Sequence, residues 1–369
     1  MQWDGSAIKI RADAQGLSLS ELARRIGVSR QAVNDWIGGQ IPKGLFLITL
    51  CDILKFDPDE LFIKEPEESV QVLVYRSKRK SPVNPGQEEQ MKELAIRYKR
   101  LFPMTGPTTL RPTLTVSDFS EENAKIIATK LRQMGSVPEA IPLDYFHAFQ
   151  LLRVLDIHVI FTEFPVSKLY AFYTCINNHR VVFVNIKTNL LDLIFPLLNE
   201  TVHSIIRNNK SMLVEDAEED FCDTVASYTQ FPDVYINKIY DMIQTVKPGN
   251  QINILKEYSR NNHHAICGVV ERIKKLDPDF DLKYGGSDTN LRKEFRLFEN
   301  ILHESDSVRQ YLQSYRRLSP LFIDLVLAQV DDLSSRIIGE IFSLENYSDM
   351  ESLKDELRQV KSLEVAAGR

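Results

Sequence analysis

The stretch "GLSLSELARRIGVSRQAVNDWIGGQIPKG", residues 16–44, predicts two short helices joined by a sharp corner. Its first part contains an S-x-x-E capping box formed by Ser18 and Glu21. In such a box the serine hydroxyl and the glutamate carboxylate satisfy backbone amides that the first helical turn leaves unpaired. We therefore expect a helix that begins at Leu19 and ends at Gly27, where glycine tolerates a left-handed backbone.

A second serine predicts where the next helix starts. Ser29 can cap a helix over residues 30–37, and the Gly38-Gly39 pair then closes it. Apolar residues recur at three- and four-residue spacing along both helices, which places them on one inward face. These residues are Leu22, Ala23, Ile26, Val28, Val33, Trp36 and Ile37.

The same periodicity turns three polar side chains outward. Arg30 can form a pair of hydrogen bonds with the edge of guanine, and Gln31 and Asn34 can each form a pair with the edge of adenine in the major groove. Ser29 and the backbone amides at the helix start suit a phosphate, and Lys43 completes the predicted DNA-binding set. The alternative is a protein-binding module whose polar face is solvated.

The corner is followed by "PKGLFLITLCDILKFDPDELF", residues 42–62, with a helix stop at Asp57-Pro58. The whole pattern resembles the Xre-type, lambda-repressor-like helix-turn-helix. The resemblance implies an all-α bundle over residues 1–64 that binds double-stranded DNA. Acidic and basic residues are equal in number over this segment, so a monomer should bind weakly. We therefore expect a homodimer on an operator palindrome.

Residues 65–88 are predicted to form a linker, because they are rich in charge and end with prolines and a glycine. The linker carries one predicted short strand, "VQVLVY" (70–75). The basic run "RSKRK" (76–80) either adds phosphate contacts or is a solvated loop. Helical periodicity then returns in "QEEQMKELAIRYKRLF" (87–102) and in "SEENAKIIATKLRQMG" (120–135), which Ser120 can cap.

Three segments with the composition of β-strands follow: "IHVIFTEF" (157–164), "KLYAFYTCINN" (168–178) and "HRVVFVNI" (179–186). The Asn177-Asn178 pair offers a hairpin turn between the last two. We expect a small antiparallel sheet of about three strands in a protein that is otherwise mainly α-helical.

Next comes "NLLDLIFPLLNETVHSIIRNN" (189–209). Since proline is best tolerated in a first turn, we expect the helix to begin near Pro196 and to continue to about Arg207. Asn199 and His203 then share a face, with Glu200 beside them. Glu219 stands sixteen residues after His203, on a second predicted helix that ends before residue 232.

The order of helix, sheet, metal-type helix and acidic helix resembles the ImmA/IrrE-type metallopeptidases over about residues 70–275. This family often carries an Xre domain in front. The resemblance implies a zincin-like α+β domain over residues 89–247, with His203 and Glu219 at zinc-ligand positions and Glu200 at the position of the general base. Where the family motif H-E-x-x-H has its first histidine, this chain has Asn199.

The asparagine decides between an enzyme and a binding domain. Catalytic zinc normally takes three protein ligands, and an amide oxygen suits hard cations better than zinc. We therefore expect an inactive peptidase-like domain without a cofactor, with zinc as the alternative. His147, His158 or His179 could replace the missing ligand if the fold brought one of them near.

The last part, residues 248–369, is predicted to be a helical domain. "INILKEYSRNNHHAICGVVERIKKL" (252–276) reads as helix, polar corner and helix, and three helical runs follow from Leu291 onward. Several apolar residues in those runs need a partner surface, either the preceding domain or a second protomer. They are Leu325, Val326, Leu327, Val330, Ile337, Ile338 and Ile341.

Length and composition are consistent with these assignments. A chain of 369 residues suits two to four domains, and 43% hydrophobic with 26% charged residues is typical of a soluble globular protein. The start "MQWDGSAIKI" carries no secretory signal pattern and we find no membrane-length apolar run, so we expect a cytoplasmic protein. Four widely spaced cysteines indicate reduced thiols.

Together these features predict a DNA-binding transcriptional regulator, with repression as the expected mode. Its peptidase-like core would sense a small-molecule effector or bind a protein. One alternative is an antitoxin that binds its toxin and represses its own promoter. The other is an active site-specific metalloprotease that cleaves a repressor.

Overall fold

The structure is a computed structural model that describes residues 1–369 except 1, 4, 39, 56–61, 64–69, 74–84, 105–111, 117, 208–214, 304–306 and 367–369. The chain forms two compact units, Met1–Glu68 and Ser69–Arg369. The predicted boundaries at residues 64, 88 and 247 stay predictions. The Asp57-Pro58 stop and the basic run 76–80 lie outside the described residues.

The first unit is a helical bundle with a two-stranded ribbon. Its helices are α1 (Ser6–Ala14), α2 (Leu19–Ile26), α3 (Arg30–Ile37) and α4 (Gly44–Leu54). Strands β1 (Gln2–Trp3) and β2 (Phe62–Ile63) pair antiparallel, so the two ends of the unit lie side by side.

The corner between α2 and α3 forms as its capping residues predict. The Ser18 hydroxyl accepts a hydrogen bond from the amide of Glu21, and the Ser29 hydroxyl accepts one from the amide of Ala32. Gly27 ends α2 in the left-handed region at φ 82°, where a side chain would be strained. The predicted bounds of both helices are confirmed.

The core of the first unit uses the predicted apolar face. Leu22 and Val33 are fully buried, and Trp36 is 5% exposed between them and the other helices. Val28 and Ile37 are half-buried and pack against this core. The remaining core side chains come from α1, α2 and α4: Ile8, Ala12, Ala23, Ile26, Leu50, Cys51 and Leu54.

In the second unit, the described residues contain a four-stranded mixed sheet. Its strands are β3 (Val70–Leu73), β5 (Ile157–Thr162), β6 (Ala171–Ile176) and β7 (His179–Asn185), in the order β3-β6-β7-β5. β6 pairs antiparallel with both β3 and β7, whereas β5 pairs parallel with β7. The expected purely antiparallel sheet is therefore wrong, although the predicted strands and the strand in "VQVLVY" are present.

The parallel pair arises because the segment between β5 and β6 crosses the end of β7. The amide of Asn185, at the end of β7, donates to Tyr170 O at 2.8 Å, and the Asn185 side chain donates to Leu169 O at 3.0 Å. Eight residues, 163–170, are enough to pass over one strand, so β5 and β6 are not neighbours. The hairpin turn at Asn177-Asn178 is confirmed, with φ of 48° and 64°.

The helices of this part have clear bounds: α5 (Pro85–Tyr98), α6 (Glu121–Met134), α7 (Tyr145–Val154), α8 (Leu190–Ile205) and α9 (Glu215–Gln230). A 3₁₀ turn (Lys99–Leu101) extends α5. Short strands β4 (Leu114–Thr115) and β8 (Ile206–Arg207) pair parallel. Ser120 caps α6 as predicted, since its hydroxyl accepts from the amide of Asn123.

Helix α8 begins six residues earlier than Pro196, so the predicted start is wrong. Asn189 caps the helix by accepting from the amide of Leu191, and Pro196 lies inside it. A proline there removes one helical hydrogen bond. The early turn is held from outside the helix, because the Asp192 carboxylate accepts from the Arg292 guanidinium at 2.8 to 3.0 Å.

The rest of the chain is helical. Its helices are α10 (Asp233–Gln244), α11 (Pro248–Asn262), α12 (Ile266–Leu276), α13 (Gly285–Glu294), α14 (Phe298–Leu302), α15 (Val308–Leu318), α16 (Pro320–Gln329), α17 (Ser335–Ile341) and α18 (Tyr347–Ala366). The predicted helix, corner and helix are α11 and α12, with His263 at the corner at φ 55°. The expected three later runs divide into α13 to α18.

Two apolar cores hold the second unit together. The larger contains the sheet, α5 to α9 and α14 to α18, and the smaller lies among α10 to α13. Val326, Leu327, Val330, Ile338 and Ile341 are buried in the larger core, so within this chain they already have their partner surface. Among the described residues we find no helix long and apolar enough to cross a membrane.

Candidate functional sites

The outward face of α3 carries the predicted DNA-contacting side chains. Arg30, Gln31 and Asn34 are all exposed, as are Ser29 at the start of the helix and Lys43 at the start of α4. These positions leave the polar atoms accessible to another molecule while Val33 and Trp36 hold the helix from behind. Their role in binding DNA stays a prediction.

One outward side chain is already engaged. The Gln31 amide nitrogen Nε2 donates a hydrogen bond of 2.8 Å to Asp35 Oδ1, one turn further along α3. Asp35 is also exposed. Its spacing of four residues from Gln31 could have predicted this pair, because side chains at that spacing are neighbours on a helix.

Two arginines on α2 are paired within their own helix. Arg24 donates to both carboxylate oxygens of Glu21, at 2.7 and 3.0 Å, and Arg25 donates to one of them at 3.0 Å. Hydrogen bonds from Arg24 and then Arg25 lower the pKa of Glu21 to about 2. Glu21 thus offsets one of these two positive charges, and the cations of the predicted DNA-binding set itself are Arg30 and Lys43.

The residues that resemble a zinc site do meet, and they form hydrogen bonds with one another. His203 Nε2 lies 3.0 Å from Glu219 Oε2, with the His203 side chain 1% exposed. Asn199 donates from Nδ2 to Asp223 Oδ1 at 3.0 Å. The resemblance implied the meeting of His203 and Glu219, whereas Asp223 was missed, although it lies on the face of α9 that carries Glu219.

Glu200 is a buried side chain at the same place. It is 6% exposed, and its Oε2 accepts a 2.7 Å hydrogen bond from the amide of Tyr173 on β6. Burial, with a smaller effect of Glu219, raises the pKa of Glu200 well above its usual range, although the Tyr173 hydrogen bond acts in the opposite direction. The raised pKa disfavours the ionised form of the carboxyl, which is the form that a general base requires.

The donor set around Asn199 does not fit catalytic zinc. Among the described residues, no group of three or more His, Cys, Asp or Glu side chains is arranged to hold a metal ion. His147 lies on α7 with its Nδ1 2.8 Å from Asp144, and the rings of His158 and His179 pack at 5.5 Å.

A cleft of about 730 Å³ opens beside these residues. Asn199, Glu200 and Glu219 line it together with apolar side chains from both cores. Its charged lining is mostly acidic: Asp192, Glu200, Glu219, Asp220, Asp223 and Glu271, against Lys275 and Arg292. A partly apolar cavity of this size is typical of a small-molecule or peptide site.

Comparison with known proteins bears on the first unit. Residues 8–61 match the family model described as helix-turn-helix, so this part of the chain is an Xre-like helix-turn-helix domain. A search of curated proteins and a search of solved structures each found no match. The resemblance of the second unit to ImmA/IrrE-type peptidases stays a prediction.

Proposed function

Given an Xre-like helix-turn-helix domain at residues 8–61, we propose that this protein is a sequence-specific DNA-binding regulator of transcription. In the proposal, α3 enters the major groove. Arg30, Gln31 and Asn34 contact base edges there, while Ser29 and Lys43 contact phosphates. Repression is the expected mode, since a bound domain can exclude other proteins from the same DNA.

The observation that carries the proposal is the exposure of three hydrogen-bonding side chains on one face of a helix that is buried on the other. Val33 is fully buried and Trp36 is 5% exposed, so α3 is fixed against its own unit. Arg30, Gln31 and Asn34 have no such packing role, because they are exposed. A rigid helix with an accessible polar face is what direct readout of base pairs requires.

We propose further that the protein acts as a homodimer on a palindrome. The first sixty-four residues have no net positive charge to strengthen a single weak contact. Two copies of the domain would double the number of base contacts and set the spacing of the half-sites. In a salt titration the dimer should therefore show a stronger salt dependence than one domain alone.

For the second unit we propose a binding role in place of peptide hydrolysis. The cleft beside Asn199 and Glu200 has room for an effector, and His203 and Glu219 contact each other at 3.0 Å. An effector or protein bound there would change operator affinity only if it bound the DNA-competent state differently from the free state.

The experiment is footprinting of the purified full-length chain across the genome that encodes it, with metal content measured on the same sample. The proposal expects discrete footprints with two-fold symmetric sequences and a sample with less than stoichiometric zinc. An R30A/N34A variant serves as the control and should lose the footprints. Uniform protection of all DNA, or footprints that the variant retains, would show that α3 reads no sequence.

A further inference from the structure

Asp35 is an unusual residue for its position. It lies in the second half of α3, where the negative end of the helix dipole disfavours a carboxylate. It is also exposed on the face that the proposed function brings close to polyanionic DNA. Aspartate is a poor helix former as well. Three separate effects therefore act against this residue, which suggests a role other than helix stability.

The contact of Asp35 provides such a role. Its Oδ1 accepts a 2.8 Å hydrogen bond from Nε2 of Gln31. Because the nitrogen and oxygen of a side-chain amide point in different directions from the same planar carbon, a bond from Nε2 to Asp35 turns Oε1 of Gln31 away from Asp35. One Nε2 proton is engaged in the contact, which leaves the second Nε2 proton and Oε1 for a partner, with Oε1 turned away from the carboxylate.

The chemistry of the bases then limits what Gln31 can read. An acceptor oxygen pairs with the exocyclic amine of adenine at N6 or of cytosine at N4. Guanine presents O6 and N7 in the major groove and thymine presents O4, all of them acceptors that meet Gln31 Oε1 and the Asp35 carboxylate unfavourably. An unconstrained glutamine could instead rotate its amide and donate to guanine.

We propose that Asp35 is a specificity-determining residue that holds Gln31 as a hydrogen-bond acceptor and thereby selects adenine or cytosine at one position of the operator. This inference rests on the proposed function, since it specifies how α3 reads DNA. Asp35 is a positioning residue here, and Gln31 makes the base contact. The charge of Asp35 also lowers affinity for DNA of any sequence.

The test is selection of duplexes from a randomised pool by the full-length protein, followed by affinity measurements on the selected duplex and its single-base variants. The variants are D35A, D35N and Q31A. D52A is a matched control, because Asp52 is an exposed acid on another helix of the same unit, α4. Urea unfolding followed by tryptophan fluorescence checks that each variant is folded.

We expect the wild type to disfavour guanine or thymine at one position by about tenfold, which is within the range of a direct base contact. D35A and Q31A should reduce that penalty to less than about threefold, and D35A should also bind random DNA more tightly. D35N should keep the penalty, because the asparagine oxygen can still accept from Gln31. D52A should match the wild type at this position.

Three results would overturn the inference. The first is an unchanged base preference in D35A. The second is a preference that survives in Q31A, and the third is a D35N variant as relaxed as D35A, which would assign the effect to charge alone. A wild-type protein that selects no sequence at all would instead refute the proposed function, and this inference with it.

Discussion

Replacement of Leu22 by alanine should unfold the first unit far more readily while leaving the second unit intact. Leu22 is fully buried in the core shared by α1 to α4. Truncation of a buried leucine removes its transfer free energy and leaves a cavity, which together cost about 2 to 5 kcal/mol. Leu45, on α4, offers the same chemical change at a side chain that is 75% exposed. Its truncation should change stability by about 0.5 kcal/mol or less.

Because the first unit is small, the free energy of unfolding that L22A removes is a large part of the total. A domain of this length is stabilised by about 3 to 10 kcal/mol, at roughly 0.05 to 0.15 kcal/mol per residue. L22A therefore removes about a fifth or more of the total. With a urea dependence of about 1 kcal/mol per molar for so small a unit, its unfolding midpoint should fall by about 2 to 5 M. The L45A midpoint should fall by about 0.5 M or less.

Tryptophan fluorescence can follow this unit in the full-length chain. The protein contains two tryptophans, Trp3 and Trp36, and both belong to the first unit. Trp36 is 5% exposed, so unfolding should shift its emission to longer wavelength. Far-ultraviolet circular dichroism reports mainly on the larger second unit. Equal midpoints for L22A and L45A would refute the packing described for this domain, and so would a loss of second-unit dichroism in L22A.

Three further predictions concern the second unit. The N199H variant should bind stoichiometric zinc, because the histidine supplies a third ligand, whereas N199A should not. Elemental analysis of the purified variants measures this, and a metal-free N199H would contradict the comparison with a zinc site. Burial lowers the pKa of His264 from 6.5, its value in an exposed side chain, to about 4 in the folded protein. As the pH falls, the imidazole is therefore protonated in the unfolded chain before it is protonated in the folded chain. Stability should therefore decrease by up to about 3 kcal/mol between pH 6.5 and 4, measured by urea unfolding. An unchanged pH slope in H264Q would show that another group is responsible. G268A should lower the melting temperature, since a Cβ there would lie 2.6 Å from Phe231 Cε2, an overpacking that costs about 1 to 3 kcal/mol. At Gly249 a Cβ would meet no described atom within 4 Å, so G249A should be neutral or stabilising, and equal effects of the two would contradict the geometry.

The helix-turn-helix could be predicted closely because its determinants are local. Ser18 and Ser29 each bond to an amide three residues away, and Gly27 ends a helix through its own backbone angle. Such contacts join residues that are close in the sequence, so a sequence pattern can predict them. The apolar periodicity of α2 and α3 also predicted which face of each helix is buried, and the residues of the core confirm this face.

The order of strands could not be predicted in the same way. Alternating and β-branched residues identify a strand, but they do not say which neighbour it pairs with. The parallel pair of β5 and β7 depends on a segment that crosses the end of β7 and is fixed by Asn185. Likewise, α8 starts before Pro196 because Asp192 pairs with Arg292, a residue one hundred positions away.

The candidate site in the second unit was predictable in part. Helical spacing placed Asn199 on the face of His203, and the resemblance indicated Glu219, whose contact with His203 is 3.0 Å. The burial of Glu200 and the partnership of Asn199 with Asp223 depend on how α8, α9 and β6 pack, which no local pattern encodes.

The most direct measurement compares the affinity of the full-length protein and its N34A variant for a selected operator and for a scrambled duplex of equal length. We expect N34A to lose about 1 to 3 kcal/mol of discrimination, about five- to 150-fold, while its affinity for the scrambled duplex is unchanged. An equal loss on both duplexes would assign Asn34 to a phosphate contact, and a wild type that binds both duplexes alike would contradict sequence-specific recognition by α3.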